Sequence, residues 1–132
     1  MYLVDTSVWI DYFRDLHTSS VEHFINLLDK KIPFGITGII FQEILQGAST
    51  LKDFNHLNDY LVTQEFFHPS DDLNTYQSAA KIYFNCRKKG ITIRSTVNCL
   101  IAQIAIEHNL ILLHNDHDFE LIKKVHSELE LY

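Results

Sequence analysis

The sequence predicts an α/β fold, a short central parallel sheet flanked by helices as an α/β/α sandwich. Three observations carry this. Short apolar runs alternate with longer segments of helical periodicity. Two of those runs are followed closely by acids, as in strands that are buried on both faces and end at a polar site. Only four Gly and two Pro interrupt the pattern, with no repeat, low-complexity tract or linker. With 132 residues, 46% of them apolar, the chain has enough material for one ordinary core and too little for two, so a single domain over residues 1–132 is expected.

The elements follow in order. Tyr2 to Val4 reads as the first strand and Ser7 to Arg14 as the first helix, followed by helices over Ser19 to Asp29, Gly38 to Gln46 and Leu51 to Thr63. A further short strand is expected near Pro33 to Ile36. Asp71 to Lys89 is read as a long helix, with Gly90 just past Arg87-Lys88-Lys89 as its C-terminal cap residue. Thr96 to Asn109 follows with Ser95 as N-cap, then the strand Leu110 to Leu113 and a last short helix after Asp118.

Composition excludes several classes. No apolar run approaches the roughly 20 residues a membrane helix needs, and MYLVDTS lacks a basic leader, so a cytoplasmic protein without a membrane partner is expected. Cys86 and Cys99 are too few for a disulfide scaffold and too far apart for a CxxC pair; buried free thiols are the simpler expectation. A net charge of −6 argues against nucleic-acid binding over a broad basic surface, so any such activity needs local positive charge from bound metal or from the group Arg87, Lys88, Lys89 and Arg94. Helix-dipole stabilisation explains that basic group equally well. His114 and His117 lie beside acids, but the other histidines are scattered and no HExxH pair is present, which disfavours zinc. Ser7 near Asp5 does not make a hydrolase triad; orienting an acid or a metal-bound water suits it better. Trp9, Tyr12, Phe13 and Phe24 are expected in the core or at a partner surface.

The chemistry lies in where the acids fall. Asp5 closes the first strand, and Asp116 and Asp118 follow the strand Leu110 to Leu113, which places all three near the carboxyl edge of a parallel sheet, where α/β folds bind ligands. Each can also be a helix cap. Glu43 shares a helix face with Ile39, Ile40 and Gly47, and no Lys or Arg lies within a turn of it. A carboxylate buried there must be protonated, paired or bound to metal, and metal is the economical explanation. Asn98 shares a stripe with Ile101, Ala102 and Ala105, so a second polar side chain faces inward; a satisfied buried amide is the alternative to a site role.

Taken together, these segments resemble the PIN-domain family, specifically the VapC toxins of bacterial toxin–antitoxin pairs. Val4-Asp5-Thr6-Ser7-Val8-Trp9-Ile10 is similar to the family's opening motif and Phe41-Gln42-Glu43-Ile44-Leu45-Gln46-Gly47 to its second. Thr96-Val97-Asn98-Cys99-Leu100-Ile101-Ala102 resembles the third, which ordinarily has aspartate where Asn98 stands, and Asn115-Asp116-His117-Asp118-Phe119 the fourth. The family often has threonine at the position of His114. The resemblance implies a PIN-like fold and a site of Asp5, Glu43, Asn98, Asp116 and an auxiliary Asp118, the first four at metal-binding positions. It implies an endoribonuclease dependent on Mg2+, with Mn2+ able to substitute, that hydrolyses RNA phosphodiester bonds to 5′-phosphate and 3′-hydroxyl ends.

Magnesium suits such a site because it takes hard oxygen ligands, keeps water and offsets charge at phosphorus. Asn98 keeps the shape of aspartate but loses its charge, so impaired activity is expected. Engineered disarming and natural divergence both fit, and a catalytically silent PIN-fold binding module or a non-toxin RNA-processing PIN nuclease are the alternatives. The resemblance further implies a VapB-type antitoxin seated near Trp9 to Phe13 and Leu51 to Leu61, a homodimer, and a higher toxin–antitoxin assembly on operator DNA through the antitoxin.

Overall fold

The computed structural model describes residues 1–132. Five strands, β1 (Tyr2–Val4), β2 (Phe34–Thr37), β3 (Glu65–Phe67), β4 (Ile111–Leu113) and β5 (Glu130–Leu131), form one sheet in the order β3-β2-β1-β4-β5. Every pairing is parallel, so all strand carboxyl ends lie on one edge. Seven helices cover it: α1 (Thr6–Phe13), α2 (Ser19–Asp29), α3 (Gly38–Gln46), α4 (Leu51–Leu61), α5 (Asp72–Lys88), α6 (Thr96–Glu107) and α7 (His117–Val125). Helix α1 packs on α2 and α3, and α3 on α4, while α5, α6 and α7 pack on one another, giving the two outer layers of the α/β/α sandwich.

Central strands are continuous apolar runs because both faces are covered: Leu3, Val4, Ile36, Leu112 and Leu113 are all buried. Strand β2 approaches β3 closely at Gly35, where a Cβ would sit 2.7 Å from the Glu65 carbonyl oxygen and against the Phe67 ring. A side chain is excluded there by contact rather than by backbone conformation. The aromatic residues divide: Trp9 and Phe24 meet edge-on at 4.8 Å in the core, whereas Phe13 is 43% exposed. Cys86 and Cys99 are free and buried, and burial pushes the Cys99 thiol up to about 12.

The sequence reading needs three corrections here. Strands β3 and β5 were not expected. They are the two edges of the sheet, three and two residues long, each contains a glutamate, and neither forms an apolar run. Helix α7 begins at His117 with Asp116 as N-cap, not after Asp118, because the Asp116 carboxylate accepts the Asp118 N–H at 3.0 Å and starts the helix about two residues earlier. Ser95 holds the N-cap position of α6, but its side chain makes no capping bond.

Candidate active site

The site forms where the strand order reverses, between β1 and β4. Strand β1 ends at Val4 and delivers Asp5; β4 ends at Leu113 and delivers Asp116 three residues later. The Asp5 N–H donates to the Leu113 carbonyl at 2.9 Å, so the two strand ends are fixed to each other. In open parallel sheets this switch point is where the diverging connections leave a crevice for a ligand.

Asp5 is 3% exposed and does two jobs. Its Oδ2 caps α1, accepting the Ser7 N–H at 3.0 Å and the Ser7 hydroxyl at 2.6 Å. Its Oδ1 is buried with no hydrogen-bond partner. Burial pushes the Asp5 carboxyl up to about 6; the bonds from Ser7 pull the other way, and the charges of Glu43 and Asp116 add to the rise. Ser7 also accepts the Asn115 N–H at 2.9 Å, and Asn115 donates to Asp11 at 2.8 Å, which ties the loop after β4 to α1.

Glu43 projects from α3 and is half-buried, not buried as its helix face suggested; α3 stands at the sheet edge, where the inward face opens onto the site. Its partner is the Thr6 hydroxyl, which donates to Oε1 at 2.9 Å, rather than a base. Asn98 is 6% exposed, and its Nδ2 donates to Asp116 Oδ2 at 3.0 Å and Asp118 Oδ2 at 3.1 Å. Both neighbours are acceptors, which fixes the amide orientation. Asn98 therefore bridges the two carboxylates. Asp118 is 3% exposed and further accepts the backbone N–H groups of Arg94 (3.2 Å) and Ser95 (3.0 Å). It clasps the start of α6 and leaves little capacity for a ligand.

Sequence reasoning missed the role of His114, though its position at the buried end of a strand was a signal. It is 7% exposed; its Nδ1 accepts the Asp116 N–H at 3.2 Å and its carbonyl accepts the Ser20 hydroxyl at 2.7 Å. The ring proton thus sits on Nε2, 3.4 Å from Glu120 Oε1 but without a well-formed hydrogen bond. Burial lowers the imidazole below its usual range despite Glu120 and Asp116. The expected residues thus fall into two groups. Asp5, Thr6 and Glu43 lie on one side, with the buried Asp5 Oδ1 unpartnered; Asn98, Asp116 and Asp118 lie on the other, joined by hydrogen bonds.

A divalent ion fits this donor set. The unpartnered buried Asp5 Oδ1, and the charges of Glu43 and Asp116 acting on Asp5, are what a hard cation would relieve. No three Asp, Glu, His or Cys side chains converge closely enough to enclose an ion by themselves, so water would complete its coordination. One pH effect follows from Asp5. The protonated form stabilises the fold, and that contribution, full below about pH 4, is lost as pH rises through about 6. In EDTA near pH 7.5, Asp5→Asn should melt higher than the unmodified chain, by a stability difference of about 2 kcal/mol that shrinks toward pH 4. A lower melting point for Asp5→Asn at pH 7.5 would show that the buried charge is not the dominant cost.

An all-parallel α/β/α sandwich with acids from separate segments gathered at its switch point defines a class: α/β domains built around a carboxylate pocket. Residues 2–125 match the PIN domain family. The chain is 35% identical over 127 residues, covering 95% of itself and 93% of the relative, to a VapC ribonuclease of Mycobacterium bovis and equally to Ribonuclease VapC11 of Mycobacterium tuberculosis. The chain belongs to the PIN-domain family. Its fold is similar to VapBC2 from Rickettsia felis bound to a promoter DNA fragment, with TM-score 0.74, 21% identity and coverage of 99% of this chain and 96% of that one. It is also similar to FitAcB from Neisseria gonorrhoeae, with TM-score 0.71, 19% identity and coverage of 100% and 96%.

Proposed function

We propose that this chain is the toxin of a VapBC-type pair, a metal-dependent endoribonuclease acting as a single PIN domain over residues 1–132. The observation that carries this reading is the buried, unpartnered Asp5 Oδ1 beside Glu43 and Asp116 at the switch point. The 35% identity to proteins named VapC ribonucleases supports RNA as the substrate. Mg2+ is the metal that suits an all-oxygen set completed by water, and Mn2+ has the same preference. Asp5, Glu43 and Asp116, together with water, would hold it, and the chemistry it would supply there is charge for the transition state and a more acidic water. Ser7 holds Asp5 in place, Thr6 holds Glu43, and His114 holds the backbone of Asp116. Asn98 donates to Asp116 and Asp118 and brings no negative charge of its own to hold a metal, so activity in this chain is impaired.

The antitoxin reading is supported by an apolar groove of about 470 Å3 between α1, α3 and α4, lined by Ile10, Phe13, Ile44 and Leu57 with Arg14 and Asp53 at its rim. A VapB-type segment laid in it would cover the exposed Phe13. A homodimer and an antitoxin-mediated assembly on operator DNA complete the proposal; the DNA part is supported by the VapBC2 structure of the same fold, which is bound to a promoter fragment. No helix is long and apolar enough to cross a membrane; a cytoplasmic site of action is part of the proposal.

The test is cleavage of total cellular RNA from the native host with Mg2+, with Mn2+ and with EDTA, followed by determination of the new ends. The proposal expects EDTA-sensitive cuts with 5′-phosphate and 3′-hydroxyl ends, strongest in the Asn98→Asp form. If neither form cuts in either metal, the silent binding module replaces the nuclease.

A further inference from the structure

The stretch from Leu73 to Ile106 holds five of the eleven Lys and Arg and none of the seventeen Asp and Glu, so in a chain with net charge −6 nearly half of the cations stand on α5 and on the link from α5 to α6 with no acid among them. That link ends at the acids. Arg94 is exposed and shares with Thr92, Asp116 and Asp118 the wall of a cavity of about 340 Å3. Its backbone N–H, not its side chain, holds Asp118. No Lys or Arg side chain in the protein forms an ion pair with a carboxylate; the four pairs present all involve histidine. The Arg94 guanidinium is thus uncommitted at the mouth of an acidic cavity.

The helix dipole accounts for Arg87 and Lys88 in the last turn of α5, but not for Arg94, which lies outside any helix. Lys89 and Arg94 are five residues apart, so at most ~18 Å of backbone separates them. Gly90, at φ +77°, turns the chain between them. Lys81 and Lys88 lie over the Phe84 ring at 5.2 and 5.8 Å, and Arg87 over Tyr83 at 5.7 Å, which holds these cations along one side of α5. A guanidinium matches a phosphate's paired oxygens, and cations beside a carboxylate pocket, with no acid interspersed among them, give a polyanion a favourable approach to an acidic protein.

We propose that Arg94 is a substrate-binding residue that grips an RNA phosphate next to the scissile bond, and that Arg87, Lys88 and Lys89 continue the contact along the strand. This rests on the ribonuclease reading above. Binding is read by fluorescence anisotropy of a labelled, mixed-sequence single-stranded RNA in EDTA, where no cutting occurs, over a range of salt. Arg94→Ala should weaken binding about tenfold and lower the salt slope by about one phosphate contact, while Arg94→Lys should keep most of the affinity. Arg87→Ala, Lys88→Ala and Lys89→Ala together should remove more of the slope, and Lys30→Ala with Lys52→Ala should change nothing. In the Asn98→Asp background Arg94→Ala should lower kcat/KM by a similar factor, mostly through KM, with an unchanged melting temperature. If the Arg94 and triple variants bind and cut like their parents while Asn98→Asp still cleaves RNA, the track is wrong and the ribonuclease reading survives. If no form binds or cuts RNA, both fall.

Discussion

Asn98→Asp is expected to raise metal-dependent RNA cleavage by roughly a hundredfold or more, since each 1.36 kcal/mol of transition-state stabilisation is tenfold in rate and electrostatic terms in such sites reach several kcal/mol. The change is nearly isosteric, so the geometry around it should hold. What differs is the sign of the contact. The Asn98 amide gives Asp116 and Asp118 a hydrogen bond each and adds no negative charge. A carboxylate there cannot donate; it adds a negative charge that only a cation or a proton can balance. Asp5→Asn added to Asn98→Asp should abolish the gain, and EDTA should do the same. Activity that survives both would belong to a contaminant, and an Asn98→Asp form that binds metal yet cuts nothing would point to the silent module.

The same substitution should carry a large stability cost in the absence of metal. It removes two buried hydrogen bonds to charged groups, at 3.0 and 3.1 Å, and puts a third carboxylate against the other two. Hydrogen bonds to charged groups contribute roughly 1.5–3 kcal/mol each, so a loss of about 3 kcal/mol or more at neutral pH is expected in EDTA. For a chain of this length that is a fall in melting temperature of roughly 10 °C. A divalent ion that binds only the folded state restores about 2.7 kcal/mol at a hundred times its Kd. Millimolar Mg2+ or Mn2+ should therefore recover most of the loss in Asn98→Asp but shift the unmodified chain far less. Equal melting of both forms in EDTA would mean that Asn98 does not hold the acids together.

Much of this was legible in the sequence. Strands β1, β2 and β4 could be read because burial on both faces makes them plain apolar runs, and Asp5 and Asp116 could be read because they follow two of those runs. The edge strands could not be read: Glu65–Phe67 and Glu130–Leu131 are held by one neighbour each and carry no periodic signal. Glu43 was placed on the right face, but its burial was overstated, since periodicity cannot tell a core from a crevice at the sheet edge. Capping uses one oxygen each of Asp5 and Asp116 and leaves the second for another role: Asp5 Oδ1 is unpartnered and Asp116 Oδ2 accepts from Asn98. The bonds from Thr6 to Glu43 and from the Asn115 N–H to Ser7 depend on tertiary distance, which no local pattern encodes.

The most direct test of the account is where a metal binds. Crystals of the Asn98→Asp form soaked in Mn2+ should show an anomalous-scattering peak at Asp5 Oδ1, shared with Glu43 or Asp116 and completed by water, and crystals of the unmodified chain should show the same peak at lower occupancy. No peak at Asp5 in either form, or a peak only at histidines remote from the β1–β4 switch point, would contradict the assignment of these acids as a metal site.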